Sequence, residues 1–216
     1  MIEWWTASGV LDFLVAGGPV MVPIIGSSVI ALATFLERSW ALRRSAVLPS
    51  AAISAVVDHL RAGRFDEALA RARRRDSAAM RVFEVAIEMR GQARTHIKER
   101  VEEVGHREAA DLERFVWVVQ TVAATGTLLG LLGTVSGMIA TFRAAQVSEN
   151  SDINALAGGI AEALITTFGG LVVSIPAAVA ARVLQARIDS LVVDLEDAAI
   201  VVIDLVARDG YTGGEP

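Results

Sequence analysis

Residues 153–181, INALAGGIAEALITTFGGLVVSIPAAVAA, run for 29 positions with one ionisable side chain, Glu162. A run of this length exceeds the roughly 20 apolar residues that cross a bilayer as a helix. Hydrocarbon offers no partner to backbone N–H and C=O groups, so a helix, which pairs them internally, is the form expected here. Glu162 then lies inside the membrane or near its outer boundary, where a carboxylate costs about 2.5–3.5 kcal/mol on insertion scales. Such groups usually face protein or a water-filled cavity, and they commonly mark an ion path. The competing reading puts Glu162 at the outer interface against headgroups, or in a static hydrogen bond to a neighbouring helix. Advancing 100° per residue, Gly158, Glu162, Thr166, Gly169 and Val173 fall within about 80° of one another. Most of that face is small or polar, which lets helix backbones approach closely in lipid. Pro176 removes one backbone donor and is expected to kink or loosen the far end.

Two further uncharged runs accompany it, LVAGGPVMVPIIGSSVIALATFL at 14–36 and FVWVVQTVAATGTLLGLLGTVSGMIATF at 115–142. Each is long enough to span. In the second, Gly126, Gly130, Gly133 and Gly137 stand at offsets 0, 4, 7 and 11 and share one narrow face, a packing seam. Thr134 sits at the edge of that seam. Residues 143–152 are polar and short, which forces the flanking spans to be antiparallel neighbours, with Asp152 a candidate N-cap. Before the first span, residues 1–13 carry Trp4, Trp5 and Phe13 with Glu3 and Asp12, an amphipathic segment suited to the membrane surface. Lacking a basic start, it reads as retained and not as a cleaved signal.

The intervening 37–114 differs in kind, with 16 Lys and Arg against 13 Asp and Glu. Apolar residues recur there at helical spacing: Val56, Val57, Leu60; Phe65, Ala68, Leu69, Ala72; Met80, Phe83, Val85, Ile87. This is a soluble helical insert. From about Thr95 the alternating charges predict one helix that runs directly into the second span. The tail, 182–216, holds seven acids against three arginines and an apolar stripe of Leu184, Ile188, Leu191, Leu195, Ala198 and Val202. It continues the third helix, and the closing GYTGGEP is expected to be disordered. Lys and Arg near the span ends fall almost wholly on one side, with Arg143 alone on the other. The positive-inside rule therefore puts the insert and C-terminus in the cytoplasm and the N-terminus and hairpin outside. The fold class expected is an all-α membrane protein with three spans, the second and third long and extended into the cytoplasm.

Several functions are disfavoured. There is no cysteine, and His59, His96 and His106 lack metal-ligand spacing. No nucleophile and base pair and no phosphate-binding loop occurs, so an enzyme is not expected. Arg71, Arg73, Arg74 and Arg75 sit among acids, more in keeping with a solvated face near anionic headgroups than with nucleic-acid binding.

LLGLLGTVSGMIATF at 128–142 followed by ALAGGIAEALITTFGGLVVSIPA at 155–177 resembles the paired signature of the MotA/TolQ/ExbB proton-channel family, within it the ExbB and TolQ branch. GGPVMVPI at 17–24 and FLERSWAL at 35–42 are similar to ExbB-type members as well. The resemblance implies a bacterial inner-membrane homopentamer whose pore holds an ExbD- or TolR-like single-span partner, and whose proton flow energises a TonB- or TolA-like protein. It implies no cofactor. Carried over by motif, Glu162 is the glutamate of the GIAEAL box, Thr134 the threonine of the LGTV box, and Thr167 the pore threonine of the third span. Helical geometry instead places Thr166 on the face of Glu162, so Thr166 is a secondary candidate. A passive scaffold and a sodium-driven stator are the alternatives.

Overall fold

The structure, a computed structural model, describes residues 15–147 and 153–211. The expected surface segment 1–13, the candidate cap Asp152 and the last five residues lie outside the described residues. All regular elements among those described are helices: α1 (Met21–Ala41), α2 (Arg44–Val47), α3 (Ser50–Arg61), α4 (Phe65–Arg73), α5 (Ala78–Glu88), α6 (Arg94–Glu113), α7 (Val116–Val147) and α8 (Ile153–Tyr211). Three of them, α1, α7 and α8, are long and apolar enough to cross a membrane. The chain divides into two compact units, Met1–Glu37 with Phe115–Val183, and Arg38–Arg114 with Leu184–Pro216.

In the first unit α7 packs on α8 through residues that have almost no side chain. The buried positions of α7 are Val116, Val119, Val122, Gly126, Gly130, Gly133, Gly137 and Thr141, one stripe at three- and four-residue steps. A Cβ added at Gly130 would meet the Thr167 Cα at 3.2 Å, and one at Gly137 the Ala163 Cβ at 2.9 Å. Backbone approach this close is how helices associate in lipid, where no hydrophobic force draws them together. Hydroxyls in the apolar helices are satisfied locally: Ser27 donates to Ile24 O, Ser28 to Ile25 O and Thr34 to Ile30 O. Thr127 instead donates to Ser174 Oγ across the pair, at 3.0 Å. Pro23 falls in the first turn of α1, where its missing N–H costs no helical hydrogen bond. The helix α8 continues through Pro176 without interruption.

The second unit joins parts of the chain far apart in sequence. Its core takes Val56, Leu60, Phe65, Ala68, Met80, Phe83 and Ile87 from the insert, and Leu184, Ile188, Leu191, Leu195 and Val202 from α8. Val57, Leu69, Val85 and Ala198, expected with them, are only half-buried, while Ala199 and Val206 are buried. The excess of cations in the insert meets the excess of acids in the tail: Arg44 pairs with Asp194 at 3.2 Å and Arg94 with Asp204 at 2.8 Å. Both pairs are largely open to water, with only Asp194 half-buried, so each contributes little by itself, roughly 0–1 kcal/mol.

The Arg81–Glu108 pair is different. Arg81 Nε donates to Glu108 Oε1 at 2.6 Å and a terminal nitrogen to Oε2 at 2.5 Å, while Asp76 takes a further contact. The fork to Glu108 holds the guanidinium above its ordinary pKa, against the opposing effect of partial burial. The glutamate is 7% exposed, whereas the arginine side chain is 44% exposed. The two truncations are therefore unequal. Arg81→Ala strands a buried carboxylate and should lower stability by about 3 kcal/mol. Glu108→Ala leaves a cation that can reach water and should cost about 1–2 kcal/mol. Denaturant unfolding of the two variants in detergent checks the order; equal losses would contradict it.

One expectation is corrected. The charged helix does not run into the second span: α6 ends at Glu113, and Phe115 takes φ +67° before α7 begins. A left-handed non-glycine residue costs about 1–2 kcal/mol, and no glycine or proline announces it. The turn takes the Arg114 carbonyl out of the helical ladder, since Val118 N–H bonds to Phe115 O instead. Arg38 Nη1, at the end of α1, donates to that carbonyl at 3.3 Å. The compensation comes from a distant residue, which local periodicity cannot reveal. At its other end α7 continues to Val147, so the first half of the expected 143–152 connection is helical and the rest lies outside the described residues.

Candidate functional site

Glu162 is half-buried on α8 and faces the turn that leads into α1. That turn is Gly17–Gly18–Pro19–Val20. Gly18 adopts φ +67°, a region that favours glycine. Its N–H donates to Val15 O at 3.2 Å, and its carbonyl accepts from Met21 N–H at 3.1 Å. The carboxylate of Glu162 lies so close that a Cβ built on Gly18 would stand 1.9 Å from Oε1.

Thr166, one turn further along α8, is 1% exposed. Its hydroxyl lies 2.6 Å from Gly17 O and 2.9 Å from Glu162 O. With one proton to donate, its shorter contact ties the turn to α8. Gly133 of α7 closes over it, since a Cβ there would be 2.2 Å from Thr166 Cγ2. Met21 fills the remaining side: it is buried, and its Cε is 2.4 Å from the Cβ position of Gly17 and 3.0 Å from that of Gly169. Glu162, Thr166 and Gly169 thus share a face of α8 that meets the α1 turn, as their spacing predicts. Gly158 does not join them. It is exposed, and among the described residues nothing lies within 4 Å of its Cβ position. Its neighbour Gly159 packs on α7, with its Cβ position 2.0 Å from Thr141 Oγ1.

The other two threonines stand apart from the carboxylate. Thr167 turns toward α7, donating to Gly130 O at 2.9 Å. Thr134 is half-buried and donates to Leu131 O in its own helix at 2.7 Å. Sequence reasoning missed Gly18 as the neighbour of Glu162, Gly17 as the acceptor of the Thr166 hydroxyl, Met21 against Gly17 and Gly169, and also Gly170, which packs directly on Gly126 and Gly130. The available signal was Gly-Gly-Pro inside an apolar run, a combination that punctuates helices.

Chemically, the arrangement offers one protonatable carboxyl group set against the side-chain-free Gly18 of the turn. Each hydroxyl that donates to a carbonyl keeps lone pairs to accept from water or an acid. No group of three or more His, Cys, Asp or Glu side chains able to hold a metal ion occurs among the described residues.

Residues 67–197 match the profile of the MotA/TolQ/ExbB proton channel family. The protein called ExbB-like 3 in Synechocystis sp. is 30% identical over 79% of this chain and 82% of its own length. The biopolymer transport protein ExbB of Pseudomonas putida is 35% identical over 59% of this chain and 41% of its own. The Tol-Pal system protein TolQ of Haemophilus influenzae is 38% identical over 40% of this chain and 38% of its own.

Proposed function

Because this multi-pass membrane protein belongs to the MotA/TolQ/ExbB proton channel family, in its ExbB and TolQ branch, we propose that it is the proton-conducting subunit of an inner-membrane motor, with Glu162 as its proton-handling group. The observation that carries this reading is the setting of Glu162. It is the one charge in an otherwise uncharged span, and it is turned toward the α1 turn of its own chain, beside buried Thr166. A static interfacial acid needs no such enclosure. In a homopentamer, Thr134 and Thr167 of each copy line the route with their hydroxyls, and an ExbD- or TolR-like single-span partner occupies the centre. The second unit lies in the cytoplasm, as the distribution of Lys and Arg favours. Each proton that crosses the field releases about 2.3 kcal/mol per 100 mV, so several per cycle suffice to move a TonB- or TolA-like protein.

Proton coupling is separated from a scaffold and from a sodium stator by one experiment on cells carrying the protein and its partners. A protonophore should abolish partner-dependent transport, and replacing sodium by choline should leave it unchanged. Survival with the protonophore favours the scaffold, and loss with choline favours sodium. Thr134→Ala and Thr167→Ala should each lower the transport rate by roughly 100-fold, the low end of what a positioned proton-transfer group contributes. Wild-type rates in both would remove the threonines from the route.

A further inference from the structure

The geometry points to Gly18 as the positioning residue for the Glu162 carboxylate: the turn ahead of α1 provides a space without a side chain, and that space decides where the carboxylate stands. This deepens the reading of Glu162 as the proton-handling group and rests on it.

Among the described residues three glycines adopt positive φ: Gly18 at +67°, Gly63 at +69° and Gly91 at +87°. At Gly63 and Gly91 nothing among the described residues lies within 4 Å of a built Cβ, so backbone conformation alone asks for glycine there. Gly18 carries a second demand. Its Cβ would stand 1.9 Å from Oε1, 2.9 Å from Cδ and 3.4 Å from Cγ, all atoms of the one side chain, Glu162. Compare Gly170, where the obstructing atoms are the Gly126 carbonyl and the Gly130 backbone. Backbone cannot step aside without moving a helix. A glutamate can, by rotating about its side-chain bonds.

The turn itself is poorly placed to yield. It is tied to α8 by the Thr166 hydroxyl on Gly17 O, and Met21 packs against Gly17 from behind. A methyl at position 18 therefore displaces the carboxylate and leaves the helix pair in place. In proton transfer the consequence is large, because a misplacement of about 1 Å can reduce a rate by about 100-fold. The position of the acid is thus set by the first helix and not only by its own.

The test uses the full-length assembly with its partner in liposomes, comparing wild type, Gly18→Ala, Gly63→Ala, Glu162→Gln and the double variant Gly18→Ala with Glu162→Asp. Two readouts are taken: voltage-driven proton flux against pH, and the infrared band of the protonated carboxyl that Glu162→Gln removes. Gly18→Ala should shift that band and lower flux about 10- to 100-fold. Gly63→Ala, with the same backbone demand and open space, should match wild type. Shortening the acid by one methylene makes room for the methyl, so the double variant should conduct better than Gly18→Ala. A Gly18→Ala band and flux equal to wild type would overturn the inference, as would a defect, in assembly or in flux, that the shorter acid fails to relieve. Should Glu162→Gln conduct normally while Gly18→Ala still moves the band, positioning stands and the proton-path reading falls.

Discussion

Gly170→Leu is expected to prevent α7 and α8 from pairing and to remove the folded protein from the membrane. A Cβ at position 170 would lie 2.6 Å from Gly126 O, 2.9 Å from Gly130 Cα and 3.0 Å from Gly130 N. All three are backbone, so relief requires the helices to separate. Separation weakens the Thr167 to Gly130 O bond, now 2.9 Å, and the Thr127 to Ser174 contact, now 3.0 Å. Even Gly170→Ala, one added carbon, should cost about 1–3 kcal/mol as overpacking. Leucine brings three carbons more into the same space, against a total stability of about 5–15 kcal/mol. Gly26→Ala is the matched control, since nothing lies within 4 Å of that site and alanine favours a helix by about 0.5–1 kcal/mol over glycine. Thermal unfolding in detergent should rank Gly26→Ala at or above wild type, then Gly170→Ala, with Gly170→Leu yielding no folded sample. An unchanged midpoint in Gly170→Ala would refute the packing.

Glu162→Gln is expected to leave the assembly intact and to reduce partner-dependent transport in cells by about 100- to 10,000-fold, the range a positioned proton-transfer group supplies. Glutamine keeps the length and shape of the side chain and still fits against Gly18, so packing is preserved while the exchangeable proton is lost. Assembly size and expression equal to wild type, together with lost transport, separate chemistry from folding. Transport near the wild-type level in a correctly assembled Glu162→Gln protein would remove the carboxylate from the mechanism.

The three long helices were readable because a bilayer leaves few options: an uncharged run of sufficient length must be helical, and glycines at offsets 0, 4, 7 and 11 must share a face. The same arithmetic put Glu162 beside Thr166 and Gly169. It failed where partners come from distant sequence. Gly-Gly-Pro could mark the turn at Gly17–Val20 inside the 14–36 run, but nothing local says that this turn meets Glu162. The joint at Phe115 carries no breaker, and the Arg38 side chain that donates to the Arg114 carbonyl lies 76 positions away. The merging of insert and tail into one unit was hinted at by their opposite charge excesses, yet charge balance alone does not pair Arg44 with Asp194. Spacing alone could not tell that Gly159, one residue beyond Gly158, is the glycine that meets Thr141 of α7.

Voltage-driven proton uptake by liposomes containing the full assembly, measured in sodium-free buffer with an entrapped pH dye under a potassium diffusion potential, tests the role of Glu162 most directly. Wild type should acidify the lumen in proportion to the imposed potential, and Glu162→Gln at equal assembly should not. No acidification by wild type, or equal acidification by both, would contradict the account.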